Sequence, residues 1–259
     1  MKRTVLITGA SSGLGIEFAK IHAAKGDDLV LVARSKDKMN LLKAEIERKH
    51  NNVSVVVIGR DLSESNAPRT IYNELKAQKI QIDYLINNAG FGDYGLYAQS
   101  NWEKQLQMIN LNVTALAYLT RLFLPDMIDN NYGKILNIGS VASFLPGPTM
   151  SVYFATKAFV LSFSEALANE VKGTGVTVTA LCPGPTATSF KSNASLDNSK
   201  MFKGDIAGPK EVAEFGYKAM IKGKSVAIQG LMNRIMVGSV RFVPRTIVAV
   251  IARMKMKPS

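Results

Sequence analysis

Short runs rich in β-branched residues alternate along this chain with longer stretches of helical periodicity, and that alternation constrains the fold more than any other feature. Residues 4–8, 29–32, 53–58, 84–86, 134–138, 176–181 and 226–228 read as strands. Between them the apolar residues recur at helical spacing, as in Leu41, Leu42 and Ile46, or Ile71 and Leu75. Strand–helix–strand repetition requires crossover connections, which cover both faces of a parallel sheet. The expectation is an α/β fold: a single doubly wound domain with a seven-stranded parallel sheet and helices on both faces. A chain of 259 residues with 47% hydrophobic and 20% charged residues has the material for one such core.

Two helices stand out. Ser100-Asn101-Trp102-Glu103 has the S-x-x-E form of a capping box and predicts the start of a long helix, bent near Asn110 to Asn112 and ended by Asp129-Asn130-Asn131. Residues 151–171 predict a second long helix that is apolar on nearly every side, with Phe154, Ala155, Phe159, Val160, Phe163 and Leu167 distributed around it. A helix of that kind has to be covered all round, which points to a subunit partner and hence to a homodimer or homotetramer.

Cys182 is the only cysteine, so no internal disulfide can form, and with two histidines no Cys/His metal cluster can be assembled. The apolar run after Met1-Lys2-Arg3 is too short for a secretory signal, and 18 apolar residues nowhere run together, so the cytoplasm is the expected compartment. The net charge is +12 and is concentrated late: residues 200–259 hold twelve Lys/Arg against three acids. No zinc-finger spacing or RNA-binding aromatic motif accompanies that charge, so nucleic acid is not an expected partner.

The first strand runs into Gly9-Ala10-Ser11-Ser12-Gly13-Leu14-Gly15 and then a helix from about Ile16. Glycines here permit a tight turn, the approach of a pyrophosphate to the backbone and close helix packing, with the phosphates on the helix N-terminus. An ordinary strand-to-helix turn is the alternative. The second strand ends in Arg34-Ser35-Lys36, where an acid would hold the adenosine ribose of NAD; cationic groups at that point suit the 2′-phosphate of NADP. NADP(H) is therefore preferred to NAD(H), the alternative being a solvated charge.

Tyr153 and Lys157 lie four apart on the apolar helix and share a face. Tyr72 and Lys76 have the same spacing and serve as an internal control. Context separates them: Ser140 ends the fifth strand 13 residues before Tyr153, at the carboxyl edge where ligands of such sheets bind, whereas the equivalent position before Tyr72 is Gly59.

With these residues in view the sequence resembles the short-chain dehydrogenase/reductase family, over roughly residues 4–190. Thr8-Gly9-Ala10-Ser11-Ser12-Gly13-Leu14-Gly15 is similar to its T-G-x-x-x-G-x-G turn, Asn87-Asn88-Ala89-Gly90 to N-N-A-G, Tyr153-Phe154-Ala155-Thr156-Lys157 to Y-x-x-x-K, and Pro183-Gly184 with Thr186 and Thr188 to P-G-x-x-x-T. The resemblance implies a Rossmann-type oxidoreductase that interconverts a carbonyl and a secondary alcohol with a nicotinamide cofactor. It implies Tyr153 as general acid/base, Ser140 as holder of the substrate oxygen, Lys157 on the nicotinamide ribose and Asn112 on a proton relay. Asn110 competes with Asn112 for that last position. The cofactor set it implies comprises Gly9, Ser11, Ser12, Gly13, Leu14, Gly15, Arg34, Ser35, Asp61, Leu62, Asn88, Ala89, Gly90, Tyr153, Lys157, Pro183, Gly184, Thr186 and Thr188, with Asp61 toward adenine. A nearby ammonium and an oxidised nicotinamide would lower the Tyr153 pKa from its usual value of about 10. Cys182 reads as a small buried hydrophobe.

Phe91, Phe144, Leu145, Pro146, Met150 and Phe190 are the expected pocket lining, and their apolarity points to a lipophilic ketone, a steroid or an acyl compound. Residues 4–190 would then be the cofactor and catalytic part, 190–225 a substrate lid and 226–259 a basic tail. From Ser225 onward there is no acid, while Arg234, Arg241, Arg245, Arg253, Lys255 and Lys257 are interspersed with apolar residues. That pattern fits an anionic membrane surface, an acidic thioester carrier, or a solvated edge beside the substrate mouth. A cofactor-binding sensor or scaffold without turnover is the second functional class.

Overall fold

Strands apolar at consecutive positions must be buried on both faces, and Val5, Leu6 and Ile7 in the first strand are all inaccessible to solvent. The computed structural model describes residues 2–188 and 206–256. Its strands are β1 (Thr4–Thr8), β2 (Asp28–Ala33), β3 (Val55–Gly59), β4 (Tyr84–Asn87), β5 (Gly133–Ile138), β6 (Val176–Cys182) and β7 (Val226–Ile228). They form one seven-stranded sheet in the order β3-β2-β1-β4-β5-β6-β7, every pair parallel. The order reverses between β1 and β4, which leaves a crevice at their carboxyl ends.

The helices are α1 (Gly13–Ala24), α2 (Lys36–Lys49), α3 (Ala67–Ala77), α4 (Trp102–Ile109), α5 (Leu116–Asp129), α6 (Ser151–Glu170), α7 (Pro209–Ile221), α8 (Leu231–Val240) and α9 (Arg245–Met256). Alternate strand residues feed two cores. Val5, Ile7, Leu29 and Leu31 pack with Phe18 of α1, Met39 of α2 and Val212 of α7. Leu6, Val30, Val32 and Leu85 pack on the other face with Ile71 of α3, Leu119 of α5 and Leu167 of α6. The doubly wound α/β sandwich expected from the alternation is thus the fold observed. Of the region expected as a lid, 190–205, with Phe190, lies outside the described residues, and Pro209–Ile221 is α7, packed against α1.

Two local expectations need correction. The N-cap of α4 is Asn101, whose side chain accepts from the Lys104 amide; the Ser100 hydroxyl instead donates back to the Tyr97 carbonyl, so no S-x-x-E box forms. The third strand begins at Val55, after Val53 has already been buried in a turn. The bend expected near Asn110 is a π-helical segment, Asn110–Ala115, joining α4 to α5. Helix α6 buries Phe154, Val160, Leu161 and Leu167 inward, while Ala155, Phe159 and Ala166 stay exposed on its outer side.

Candidate active site

The turn after β1 is tied to the turn after β4. Thr8 Oγ1 accepts from the amides of Asn88 and Ala89, both at 2.9 Å, and Asn88 Nδ2 donates to the Thr8 carbonyl at 2.8 Å. Gly9 has φ +65°, a left-handed conformation that a side chain disfavours. A Cβ on Gly15 would lie 2.2 Å from the Gly9 carbonyl oxygen, so α1 can approach the turn only with glycine there. Helix α1 begins at Gly13 with no side-chain cap and no acid in its first turn. Its N-terminal amides therefore face the crevice with their partial positive charge uncompensated by any carboxylate. Ser11 and Leu14 are half-buried in this turn and Ser12 is exposed.

Around this cradle the other expected residues gather at the same sheet edge, with differences. Arg34 and Ser35 are exposed after β2, and the Arg34 guanidinium lies 3.8 Å from Asp61, a loose pair that leaves it accessible. Asp61 Oδ1 also accepts from the amide and hydroxyl of Ser63. The Leu62 side chain is buried in the second core, so only its backbone can serve a cofactor. After β6, Thr186 Oγ1 donates to the Gly184 carbonyl, the Pro183 carbonyl accepts from Val141, and the Thr188 methyl lies where a Cβ on Gly13 would meet it, at 3.0 Å.

The chemistry-bearing side chains converge behind the cradle. Helix α6 crosses the carboxyl end of β5, so Tyr153 and Lys157 are buried while Ser140 leaves the strand in extended conformation. Ser140 caps the short turn Val141–Phe144, its Oγ accepting from the Ala142 amide at 3.1 Å, and it also hydrogen-bonds Tyr153. Lys157 Nζ donates to the Ile138 carbonyl at 2.7 Å and stands 5.8 Å from the centre of the Tyr153 ring. Asn112 lies in the π-helical segment, 1% exposed; its Oδ1 accepts from the Phe91 amide and its Nδ2 donates to the Phe91 carbonyl and to Thr156 Oγ1. Thr156 in turn donates to the Tyr153 carbonyl. Gly90 lies between Asn112 and Lys157: a Cβ there would be 3.0 Å from Asn112 Oδ1 and 3.6 Å from Lys157 Nζ. Asn110 is only half-buried, whereas Asn112 is the one of the two that lies beside Gly90.

Burial dominates the electrostatics. It pushes the Tyr153 pKa up to about 12 against a hydrogen bond from Ser140 that lowers it, and pushes Lys157 down to about 8. The expected depression of Tyr153 is therefore not produced by the protein alone, because desolvation of the phenol outweighs the hydrogen bond with Ser140. Cys182, behind Gly139, is buried with its thiol raised to about 12, a neutral packing group. The control pair behaves differently: Tyr72 and Lys76 both bind Asp126 on the outside of α3 and meet no hydroxyl of the crevice.

Of the expected pocket lining, Phe91, Leu145 and Met150 stand by Tyr153, joined by Met108, Tyr94, Thr149 and Met256, which carried no signal that spacing could reveal. Tyr153, Met108 and Met150 pack with Met256, the end of α9, and Phe91, Tyr94 and Leu145 adjoin that cluster. Tyr94 Oη donates to the Met256 carbonyl at 3.0 Å, and Thr149 Oγ1 lies 3.7 Å from its sulfur. Phe144 and Pro146 instead line a cavity of about 330 Å³ with Val237, Val240, Val243, Val248, Arg241 and Arg245 of the C-terminal helices. Beneath the site a buried amide chain knits strand to helix: Asn87 donates to Thr120 and Asn137, and Asn137 donates to Ser164.

A family profile described as short chain dehydrogenase matches residues 3–199. The very-long-chain 3-oxoacyl-CoA reductase of Mus musculus is 35% identical over 189 residues, which cover 71% of this chain and 59% of that protein. The sulfoacetaldehyde reductase of Chromohalobacter salexigens is 38% identical over 195 residues, 73% of this chain and 75% of that one. A solved short-chain dehydrogenase from Sphingobium yanoikuyae in complex with NADPH superposes with a TM-score of 0.82 at 33% identity, covering 94% of this chain and 97% of that one. This chain spans about six-tenths of the length of the mouse reductase, with 59% of the latter matched.

Proposed function

The chain belongs to the short-chain dehydrogenase/reductase family, and from that premise we propose that it is an NADP(H)-dependent oxidoreductase that interconverts a lipophilic carbonyl compound and its secondary alcohol. The observation that carries the reading is the convergence of Ser140, Tyr153, Lys157 and Asn112 at the carboxyl edge of the sheet. The residues fit a dinucleotide: the turn Gly9–Gly15, with glycine at its three points of close approach, opens on the α1 N-terminus, and the exposed Arg34 suits a 2′-phosphate. Solved relatives support the same preference, since the Sphingobium yanoikuyae dehydrogenase is in complex with NADPH.

The cofactor supplies or accepts hydride; the chain supplies everything else. Ser140 and Tyr153 present two hydroxyls to one substrate oxygen. A phenol with a pKa near 12 is protonated at neutral pH, so Tyr153 is set up as the acid that delivers a proton to that oxygen during reduction. Ser140 supplies a second hydrogen bond to the developing alkoxide. Lys157, cationic below its pKa of about 8, places positive charge 5.8 Å from the ring and favours the phenolate that proton delivery leaves. Asn112 holds the Phe91 backbone and Thr156, fixing the floor on which Lys157 rests.

The relatives' names run from a very-long-chain acyl thioester to a small sulfonated aldehyde, so substrate choice rests on the pocket. Here Phe91, Leu145, Met150 and Met256 pack with Tyr153, and the 330 Å³ cavity lined by Phe144 and Pro146 takes four valines from the C-terminal segment beside two arginines. Both favour a large apolar carbonyl compound. NADPH oxidation over a panel of ketones tests the whole reading. Hydrophobic members should turn over best, and Tyr153→Phe should lower kcat/KM by about 10²- to 10⁴-fold. Activity untouched by that substitution overturns the mechanism; cofactor binding with no turnover of any carbonyl favours a sensor or scaffold.

A further inference from the structure

Helix α9 has two working faces. Inward, Val248 and Met256 are buried, and Met256 joins the cluster that contains Tyr153. Outward, Ile247, Val250, Ile251 and Met254 are all exposed, at the i, i+3, i+4, i+7 spacing that makes one continuous apolar stripe. Helix α8 adds exposed Leu231, Met232 and Ile235, and Phe242, in the turn between the two helices, is 90% exposed. No other large hydrophobic side chain among the described residues is so open. The same pair carries exposed Arg234, Arg241, Arg245 and Arg253, and the chain has no Asp or Glu after Glu214.

We propose that α8 and α9 form a docking surface for an anionic lipid bilayer, lying in the plane of the interface with the apolar stripe turned to the acyl chains and the arginines to the headgroups. Charge selects this occupant. A second copy would bring guanidinium groups against guanidinium groups with no carboxylate to separate them. An acidic protein would pair the arginines but has no need of eight exposed apolar side chains along the same two helices and their turn. An anionic membrane satisfies both at once. No helix among the described residues is long and apolar enough to cross a membrane, so contact of α9 with a bilayer would be at its surface. Because Met256, on the opposite face of α9, packs in the cluster that contains Tyr153, docking brings the bilayer to about 10 Å, one helix diameter, from the candidate active site; what that offers a lipophilic substrate, unlike the docking itself, rests on the reading above.

Co-sedimentation of the full chain with phosphatidylcholine vesicles, made with and without phosphatidylglycerol, tests the proposal with no activity readout. Pelleting should require the anionic lipid and fade as salt is raised. Replacing two arginines in Arg234→Gln/Arg253→Gln should lower the partition coefficient about 30-fold, at roughly 1 kcal/mol per charge. Phe242→Asp/Ile251→Asp should abolish pelleting while the thermal midpoint stays unchanged. Equal pelleting on neutral and anionic vesicles, or none on either, overturns the proposal. So does a lipid-free dimer, seen in sedimentation velocity, that Phe242→Asp/Ile251→Asp dissociates. Lipid-dependent pelleting without turnover of any hydrophobic ketone leaves the docking surface standing and removes the substrate reading.

Discussion

Two residue pairs with identical spacing separate a site from a surface. Tyr72 and Lys76 share Asp126 at the half-exposed edge of α3, whereas Tyr153 and Lys157 are taken out of water and given a hydroxyl and a carbonyl as partners. That burial has a cost that can be measured. The Lys157 pKa falls from 10.5 to about 8, so the folded state binds fewer protons than the unfolded one between those values, and stability rises with pH across that window. Below pH 8 the charge costs the fold about 3 kcal/mol relative to pH above 10.5, at 1.36 kcal/mol per pKa unit. Lys157→Met should therefore raise the urea midpoint at pH 7 and flatten the pH dependence between 8 and 10.5, while turnover is lost. Tyr153 works in the opposite sense: its raised pKa contributes stability that is complete below pH 10 and lost as pH climbs toward 12. Tyr153→Phe should remove that alkaline decline, and urea titrations at several pH values check both. The pairing of Tyr153 with Ser140 could be read from spacing; the direction of its pKa could not, because desolvation depends on what α6 packs against.

Among the elements, the break between α4 and α5 shows how local chemistry and packing divide the work. Asparagines at 110 and 112 weaken the helix enough for the bend to be anticipated from sequence, but only packing against Phe91 and Thr156 decides that Asn112 turns inward. The start of α4 was legible in kind and misplaced by one residue, since Ser100 and Asn101 both cap helices well and the loop bond from Ser100 to Tyr97 removes the first from contention. Asn101→Ala should then cost about 1 kcal/mol in chemical denaturation and Ser100→Ala much less. The buried amide chain offers a sharper test. Asn137→Ala removes two buried hydrogen bonds at once, while Asn87 Nδ2 keeps Thr120 and Ser164 Oγ keeps the Val160 carbonyl, and should cost about 2 kcal/mol. In the sequence Asn87 and Asn88 read equally well as turn formers, because nothing in Asn87-Asn88-Ala89-Gly90 announces that Thr120, Asn137 and Ser164 stand opposite.

For the whole molecule, the C-terminal helices fold back on the sheet edge that carries the chemistry. Truncation before Arg245 removes Met256 from the Tyr153 cluster and opens the cavity walled by Val248, so KM for hydrophobic ketones should rise about tenfold or more, while NADPH affinity, read by fluorescence titration, holds. The outer side of α6 makes a second prediction. Phe159 and Phe163 stack there at 5.6 Å with Phe159 exposed, less apolar surface than the sequence implied but enough to propose as a self-association face. Phe159→Asp should shift sedimentation velocity toward the monomer.

By itself the sequence determined the seven parallel strands, the glycine turn and the order of the chemical residues along the chain, because these depend on periodicity, on φ preferences and on short spacings. Only the tertiary structure decided that Met256, Tyr94 and Thr149 meet beside Tyr153, that Leu62 belongs to the core, and that burial drives Tyr153 upward and Lys157 downward. Those outcomes depend on groups up to 162 positions apart coming within hydrogen-bond distance, and on how much water their packing excludes, quantities that no local pattern encodes.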